Sequence, residues 1–384
     1  MEGSQVKVTA KQDLFSHGLR VAGRAVATRS PLPITTNVLL SSAEGRLRIS
    51  ATNLDIAIST WIDATVAEEG AITLPAKLLS EFVDALPMEP VAMTVKEGSH
   101  SAQLTAGPFQ ATMRGIDAND FPVIPEVEGE PAAAIDPGLL KEMIEQVVFA
   151  AAGDDTRPVL TGVLATFSGD VLTFAATNGF RLAVRSGTLA SPATGDFSVI
   201  IPARTLNDLS KILPDDEEPV EMTVTPNRNQ VVFRARDLHV VSSLLEGQFP
   251  NYRQIIPTKF ATKIVVSTAE LLKAAKIASF FARDNTNPIS LDVQPGEEAG
   301  MGSVVVSGQA AELGEDRGVI DAVVNGGTVH IQFNARYVSD ALGAVQAPQV
   351  GIEMSGPNAA ALFRPIDGSD YTHIIMPMFI AAGK

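Results

Sequence analysis

The chain contains no cysteine, which excludes a disulfide framework, a thiolate nucleophile and cysteine-ligated zinc or iron–sulfur sites. It also lacks any run of about 18 consecutive apolar residues, the length that a membrane-spanning helix requires. The first residues, MEGSQVKVTAKQD, lack the basic start and apolar core of a secretory signal. We therefore expect a cytoplasmic protein with no membrane partner.

Basic residues are fewer than acidic residues in this chain. The chain has 29 Lys and Arg against 44 Asp and Glu, a net charge of −15, and its successive thirds carry −5, −6 and −4. Free nucleic acid is bound through basic side chains that neutralise phosphates and release counterions. The charge argues against such affinity-driven binding, but it does not exclude DNA as a partner.

The remaining composition is that of a well-packed globular protein, with 45% hydrophobic and 19% charged residues, 30 Gly and 24 Pro. A length of 384 residues predicts two or three domains. Three equal parts would hold 128 residues each, and the sequence repeats at close to that interval.

Each third opens with a helix-like stretch in which apolar residues recur at spacings of three and four. Asp136 precedes a proline at the first turn of the second stretch, and Ser267 and Glu270 form a capping-box pattern before the third. The predicted helices are 11–28, 137–150 and 268–283.

A proline-marked link and strand-like runs follow each helix. Pro31, Pro158 and Pro288 lie 127 and 130 residues apart, and Asn178-Gly179 is a strong hairpin signal. The second half of each third again reads as a strand leading into a helix, followed by alternating strands, with helices predicted at 76–86, 203–213 and 334–344.

This pattern predicts an α+β fold of antiparallel sheet with all helices on one side. Three unrelated α+β domains with similar local patterns are the alternative, but the matched landmarks favour a true repeat. Six similar units would each expose sheet edges, and a closed ring formed by edge-to-edge joining removes that exposure.

No catalytic constellation emerges from the motifs. The five His are scattered, phosphate-loop and nucleophile-elbow patterns are absent, and the acidic clusters lack the spacing of a calcium loop. Solvated turns are the simpler interpretation of those clusters. A carboxylate-based hydrolase that uses Asp154 and Asp155 remains an alternative hypothesis.

The predicted helices hold 11 basic and 8 acidic residues, whereas the rest of the chain carries a charge of −18. This distribution suggests that the helices face a polyanion. Solvated amphipathic helices could show the same balance by chance.

Five segments carry a resemblance to a known family. The chain is similar to the bacterial DNA polymerase III beta subunits, the sliding clamps, over nearly all of its length. The segments are TRSPLPITTNVLL from Thr28, TRPVLTGVL from Thr156, ATNGFRLAV from Ala176, EGQFPNYRQIIP from Glu246 and YTHIIMPM from Tyr371.

The resemblance implies three clamp domains, at 1–128, 129–258 and 259–384, each with two helices packed on antiparallel sheets. It implies a head-to-tail homodimer, a ring with helices lining the hole, that holds double-stranded DNA topologically and without sequence preference. It also implies a non-catalytic processivity factor without metal or cofactor, in the nucleoid. By similarity, the DNA path would include Arg29, Lys77, Arg204, Asn334 and Tyr337. Asp154 and Thr286 stand where the family often has a polar amide or an aromatic residue, so DNA contacts are not expected at these two positions.

The resemblance further implies a pocket for short partner peptides of the Gln-Leu-x-Leu-Phe kind. Partners of this kind are the replicative polymerase alpha subunit, the clamp loader, translesion polymerases, mismatch-repair proteins and ligase. The pocket would be formed by Arg157, Leu160, Thr177, Gly179, Arg181, Leu182, Pro250, Ile255, Ile374, Met376 and Met378.

Three departures from the family affect this pocket: Gln254, Phe180 and the ending Phe379-Ile380 with four further residues. They leave open a clamp-like paralogue with altered partner specificity. The resemblance places the dimer interface at Phe109, Phe280, Phe281, Glu312, Glu315 and Asp316, where acids of one subunit would face basic residues of the other.

Overall fold

The computed structural model describes residues 6–43, 45–96, 98–125, 130–282, 286–298, 300–310, 312 and 314–378. The helices in these ranges are α1 (Gln12–Ala22), α2 (Ala76–Ala85), α3 (Pro137–Val147), α4 (Ala203–Ser210), α5 (Thr268–Ser279) and α6 (Ala335–Ala344). None of them has the length and hydropathy that crossing a membrane requires.

The 24 described strands fall into three groups along the chain, and the helices lie between them. Strands up to the start of α3 are β1 (Val6–Ala10), β2 (Asn37–Ala43), β3 (Arg46–Thr52), β4 (Ile56–Glu68), β5 (Gly70–Pro75), β6 (Val91–Val95), β7 (Ser101–Ala106), β8 (Phe109–Arg114) and β9 (Ala133–Ile135). The next are β10 (Gly162–Ser168), β11 (Val171–Thr177), β12 (Arg181–Thr188), β13 (Phe197–Pro202), β14 (Val220–Val224), β15 (Gln230–Ala235) and β16 (Leu238–Ser243). The last are β17 (Thr262–Ser267), β18 (Pro288–Pro295), β19 (Gly300–Ala310), β20 (Gly314–Asn325), β21 (Val329–Asn334), β22 (Gln349–Met354), β23 (Ala361–Pro365) and β24 (Tyr371–Ile375).

The chain forms two compact units. The first comprises 1–138, 189–195 and 208–244, and the second comprises 139–188, 196–207 and 245–384. Each unit contains one 12-stranded antiparallel sheet. The order in the first is β8-β7-β6-β1-β4-β16-β15-β14-β9 with β2, β3 and β5 alongside; in the second it is β13-β10-β11-β12-β24-β23-β22-β17-β20-β19-β18-β21. The α+β prediction is confirmed.

Helix α1 shows how the apolar spacing produces packing. Phe15 and Leu19 are buried on the face that meets β3 and β4. Gly18 permits the close approach, because a Cβ there would lie 2.6 Å from Cδ1 of Ile49. The predicted helix 11–28 is too long, since α1 ends at Ala22 and a 3₁₀ turn from Gly23 to Ala25 follows.

The other predicted helices are also longer than those observed. The stretch 137–150 divides into α3 and a 3₁₀ turn, and 268–283 ends at Ser279. The predicted cap of α5 is confirmed, because the Ser267 hydroxyl accepts a hydrogen bond from the Glu270 N–H at 3.4 Å. Asn334, which was predicted to be helical, instead caps α6 by accepting from the N–H groups of Arg336 and Tyr337.

The repeat is visible in hydrogen bonds as well as in sequence. The turn from β3 to β4 and the turn from β11 to β12 share one pattern, in which a threonine hydroxyl donates to the carbonyl four residues on. Thr52 and Thr177 make these bonds at 2.9 and 2.6 Å. In the same turns the side-chain oxygens of Asn53 and Asn178 accept two backbone N–H groups each.

The proline-marked links also match, although the structural counterpart of Pro158 is Pro33 and not the predicted Pro31. Pro33–Thr36 and Pro158–Thr161 are 3₁₀ turns, each closed by a threonine hydroxyl that donates to the proline carbonyl. In the third copy Pro288 begins strand β18 instead. The first two copies are therefore the more alike.

Candidate functional site

A buried apolar cluster flanked by exposed apolar side chains lies on one face of the joint between β12 and β24, and we call this surface the groove. Leu182 pairs directly with Ile374 in this antiparallel ladder, and Leu362 pairs with Ile374 on the other side. Side chains alternate across a sheet, so these three share a face. The buried residues of this cluster are Leu160, Ala175, Leu182, Ile200, Phe249, Tyr252, Ala360, Leu362 and Ile374.

The predicted hairpin turn at Asn178-Gly179 is confirmed. It lies next to Leu182 of the buried cluster, and we call it the rim. Gly179 has a φ of 90°, in the left-handed region that favours glycine. The Arg157 guanidinium donates to the Asn178 carbonyl at 2.7 Å. A Cβ at Gly179 would lie 2.8 Å from Nη1 of Arg157, so the absence of a side chain permits this contact.

Exposed apolar side chains surround the buried floor. Phe180 is 61% exposed, and Ile255 and Met376 are also exposed. The Met376 N–H donates to the Phe180 carbonyl at 2.8 Å, which ties the segment after β24 to the rim. A large apolar side chain entering from solvent would find a hydrophobic floor and adaptable walls.

Arg181 does not share the groove with Leu182. It points to the opposite sheet face, where its guanidinium donates to Asp340 at 2.6 Å and to the Phe149 carbonyl. The same group lies over the Tyr337 ring, 4.6 Å from its centroid. Only its backbone reaches the rim, where its carbonyl accepts from Thr177.

The remaining predicted pocket residues are distributed unevenly. Pro250 is exposed immediately after buried Phe249. The Met378 N–H donates to the Gln332 carbonyl at 2.8 Å, which places this segment beside β21. Phe379 and Ile380, the third departure from the family, lie outside the described residues. Gln254 and Phe180 are both exposed.

His373 lies beneath the sheet on the Arg181 face and is fully buried. Its ring stacks on Phe149, with 5.6 Å between centroids. Burial, with a smaller contribution from the Arg181 charge, lowers the pKa of His373 to about 3. The residue is therefore a neutral core histidine, and its Nε2 has no hydrogen-bond partner within the described ranges.

The residues expected on a DNA path occupy several local settings. Arg29 and Lys77 lie in the first unit and are exposed, and Lys77 is 3.8 Å from Glu81. Arg204 is exposed in the first turn of α4, and it lines the same cavity of the second unit as Tyr337. Asn334 serves as the α6 cap.

The predicted positive charge of the helices is wrong. Within their observed bounds the six described helices contain seven basic and eight acidic residues. Lys11, Arg24 and Lys211 flank helices, and Arg283 lies outside the described residues. Arg24 also forms an ion pair with Asp208 at 3.2 Å, so contact with a polyanion would have to depend on individual basic side chains.

The residues expected at a subunit interface lie near two sheet edges. Phe109 begins β8, which pairs with β7 alone among the described strands. Phe280 and Phe281 follow α5. Glu312 lies in the turn before β20, and Glu315 and Asp316 belong to the half of β20 that pairs only with β19 within the described residues.

The acidic residues considered for catalysis form ordinary turns. Asp154 accepts hydrogen bonds from the Thr156 hydroxyl and N–H, and these bonds lower its pKa. No cluster of three or more potential metal ligands occurs in the described part of the chain. His330 does contact a carboxylate, Asp292, 38 residues away; the β18–β21 register creates this pair, which sequence spacing did not indicate.

Some groove residues were missed. Phe249 and Tyr252 form part of the buried cluster, and the QFPNY segment that carried the resemblance contains both. Ile200 and Leu362 had no comparable local signal, because the sheet brings them to the groove from distant parts of the chain.

Comparisons with known proteins place these features in a family. Models of the N-terminal, central and C-terminal domains of the DNA polymerase III beta subunit match residues 6–125, 134–251 and 253–379. The beta sliding clamp of Synechococcus elongatus is 32% identical over 377 residues, covering 97% of this chain and 99% of that protein. The beta sliding clamp of Bacillus subtilis is 30% identical over 386 residues, with 97% and 99% coverage. The solved DNA polymerase sliding clamp from Bacillus subtilis superposes with a TM-score of 0.91 at 30% identity, covering 98% of this chain and all of that one. With the three repeated domains and this coverage, the chain belongs to the DNA polymerase III beta subunit family, the bacterial beta sliding clamps.

Proposed function

We propose that two copies of this chain form a head-to-tail ring around duplex DNA and dock replication proteins, without catalysing a reaction themselves. The observation that carries the proposal is the buried apolar cluster over the β12–β24 joint, with exposed apolar side chains beside it. Its buried floor and exposed Phe180 and Met376 fit the Leu-Phe anchor of a short peptide.

The ring would hold DNA by enclosure rather than by affinity. A net charge of −15 is then no obstacle, because strong phosphate contacts would slow sliding and a few basic side chains suffice to centre the duplex. We place Arg29, Lys77, Arg204, Asn334 and Tyr337 along this path. The domain boundaries 1–128, 129–258 and 259–384 remain predictions.

The subunit interface would join β8 of one chain to β20 of the other. β8 and the first half of β20 each have an edge without a described partner strand, and such edges readily pair with another chain. Phe109 would pack against Phe280, Phe281 and the exposed Val319, while Glu312, Glu315 and Asp316 would face basic groups such as Arg114. A head-to-tail contact of this kind closes when its rotation closes.

The polymerase alpha subunit and the clamp loader are the principal partners that we propose for the groove. Translesion polymerases, mismatch-repair proteins and ligase would use the same site through their own short motifs. Such a protein would act in the cytoplasm at the nucleoid.

Fluorescence polarisation of a labelled Gln-Leu-Ser-Leu-Phe peptide tests the groove. We expect saturable micromolar binding that Met376→Ala weakens about tenfold or more, because an exposed wall of the groove is removed. Met88→Ala is the matched control, since Met88 is an exposed methionine in the first unit. Binding unaffected by Met376→Ala, or no binding by folded protein, would refute the docking role.

A further inference from the structure

A second concave site lies on the Arg181 face of β12, opposite the apolar groove. It is a cavity of about 530 Å³, walled by the 148–153 segment, the Asn178 turn and the first turns of α4 and α6. Three arginines line it, Arg181, Arg204 and Arg336, and no carboxylate is among its lining residues. In a chain of net charge −15, such a concentration of guanidinium groups favours an anionic ligand.

The three arginines differ in exposure. Arg181 is 6% exposed and fixed by Asp340 and the Phe149 carbonyl, yet its Nε has no hydrogen-bond partner within the described residues. Arg336 is 79% exposed, and its nearest ion-pair contact is Asp340 at 3.8 Å, longer than a hydrogen bond. Arg204 is exposed in the first turn of α4. The cavity therefore has one fixed charge inside and two charged side chains at its mouth.

Tyr337 supplies a neutral donor to the same space. The Asn178 side-chain oxygen accepts from the N–H groups of Phe180 and Arg181, which fixes the amide orientation. The Asn178 amide nitrogen then donates to the Tyr337 hydroxyl oxygen at 3.3 Å. Because that oxygen already accepts a bond, the hydroxyl retains its own proton for a ligand.

The Arg181 guanidinium covers one face of the Tyr337 ring, 4.6 Å from its centroid, which leaves only the other face for stacking on a base. Guanidinium and hydroxyl donors match the non-bridging oxygens of a phosphodiester. Helices α4 and α6 both begin beside the cavity, and their N-terminal dipoles favour the same charge.

We propose that this cavity holds a backbone phosphate of the duplex, with Arg204, Arg336 and the Tyr337 hydroxyl as its donors. The inference rests on the proposed function, and it adds Arg336 and Asn178 to the residues that the family resemblance indicates. Asp154, ionised in the adjoining turn, does not line the cavity and would repel DNA locally. An acidic group of a docked peptide is the less favoured ligand, because the peptide groove lies on the other sheet face.

The test is fluorescence anisotropy of the full-length protein with a short labelled duplex over a series of KCl concentrations. We expect Arg336→Gln and Arg204→Gln each to make the slope of log K against log[salt] shallower by about one, the value for one lost phosphate contact. Tyr337→Phe should weaken binding several-fold without changing the slope, since it removes a neutral donor. The matched control is Arg364→Gln, because Arg364 is also exposed and 3.8 Å from a carboxylate, that of Glu353.

Three results would overturn the proposal. The first is duplex binding by the wild type with slopes in Arg336→Gln and Arg204→Gln equal to that of Arg364→Gln. The second is a loss confined to binding of an acidic peptide, which would assign the cavity to a carboxylate. The third is absence of duplex binding by the wild type, which would remove the phosphate site but not the enclosure of DNA by a ring. Peptide binding in the groove, measured on the same variants, reports folding and the docking role independently.

Discussion

Leu54 and Gly179 hold the same left-handed backbone conformation at the same place in two copies of one hairpin turn, with φ of 82° and 90°. Both follow an asparagine, and both N–H groups donate to a threonine hydroxyl, at 3.0 and 3.1 Å. Glycine adopts this conformation without steric cost, whereas leucine adopts it at a cost in free energy. The first copy therefore stores strain that the second avoids.

Replacing Leu54 with glycine should stabilise the protein. The left-handed region costs a residue with a side chain about 1–2 kcal/mol, and the extra backbone entropy of glycine offsets about half of that. We expect Leu54→Gly to raise the free energy of unfolding by about 0.5–1 kcal/mol in urea titrations. Leu78→Gly, at an equally exposed position inside α2, should lower it by about 1 kcal/mol. A Leu54→Gly protein less stable than its parent would contradict this account.

Adding a side chain at Gly179 should impair peptide docking. A Cβ there would sit 2.8 Å from Nη1 of Arg157 and would hold a strained φ. We expect Gly179→Ala to weaken peptide binding in the polarisation assay several-fold by displacing Arg157 from the rim. Gly195→Ala, where a Cβ meets nothing within 4 Å, is the control. Equal affinity in both variants would show that the rim does not shape the groove.

Two exposed phenylalanines should separate assembly from docking. Phe109 is 52% exposed on an edge strand and Phe180 is 61% exposed at the groove. Phe109→Glu should convert dimers into monomers in light scattering while each chain still binds peptide, because a charge would be buried between subunits. Phe180→Glu should weaken peptide binding and leave the dimer intact. Loss of both properties in either variant would contradict the separation of the two sites.

The buried His373 should make stability depend on pH. Its pKa is lowered from its usual 6.5 to about 3 in the folded protein. Between these values the unfolded chain binds the extra proton, so stability falls as the pH drops below about 6.5, by at most about 1.4 kcal/mol per pH unit. His373→Leu, which keeps a similar volume, should flatten this dependence in urea titrations at pH 7 and 5. An unchanged pH dependence would show that other groups dominate.

Sequence reasoning succeeded where the information was local. Asn178-Gly179 predicted its turn because two adjacent residues determine that backbone shape, and Ser267 predicted its helix cap for the same reason. It did not predict that Arg181 would turn away from Leu182 to meet Asp340, 159 residues later. That outcome depends on strand parity and on which helix covers the sheet, and both are properties of the assembled fold.

The prediction that the helices carry a net positive charge was wrong for a related physical reason. Patterns of apolar residues locate a helix but leave its ends uncertain by several residues, and the basic residues concentrate at those ends. Arg24 shows the consequence, because it lies beyond α1 and its charge is matched by Asp208.

The joints β4–β16 and β12–β24 are built from backbone hydrogen bonds in matching register, with Ala57 opposite Val241 in one and Leu182 opposite Ile374 in the other. A main-chain joint places little demand on side-chain identity. Duplicated segments held in this way are free to diverge, so one seam could acquire bulky apolar side chains and become a docking groove while its counterpart kept small ones. Main-chain architecture that tolerates substitution therefore allows the sequence repeat to be faint while the hydrogen-bond register of the two joints is kept.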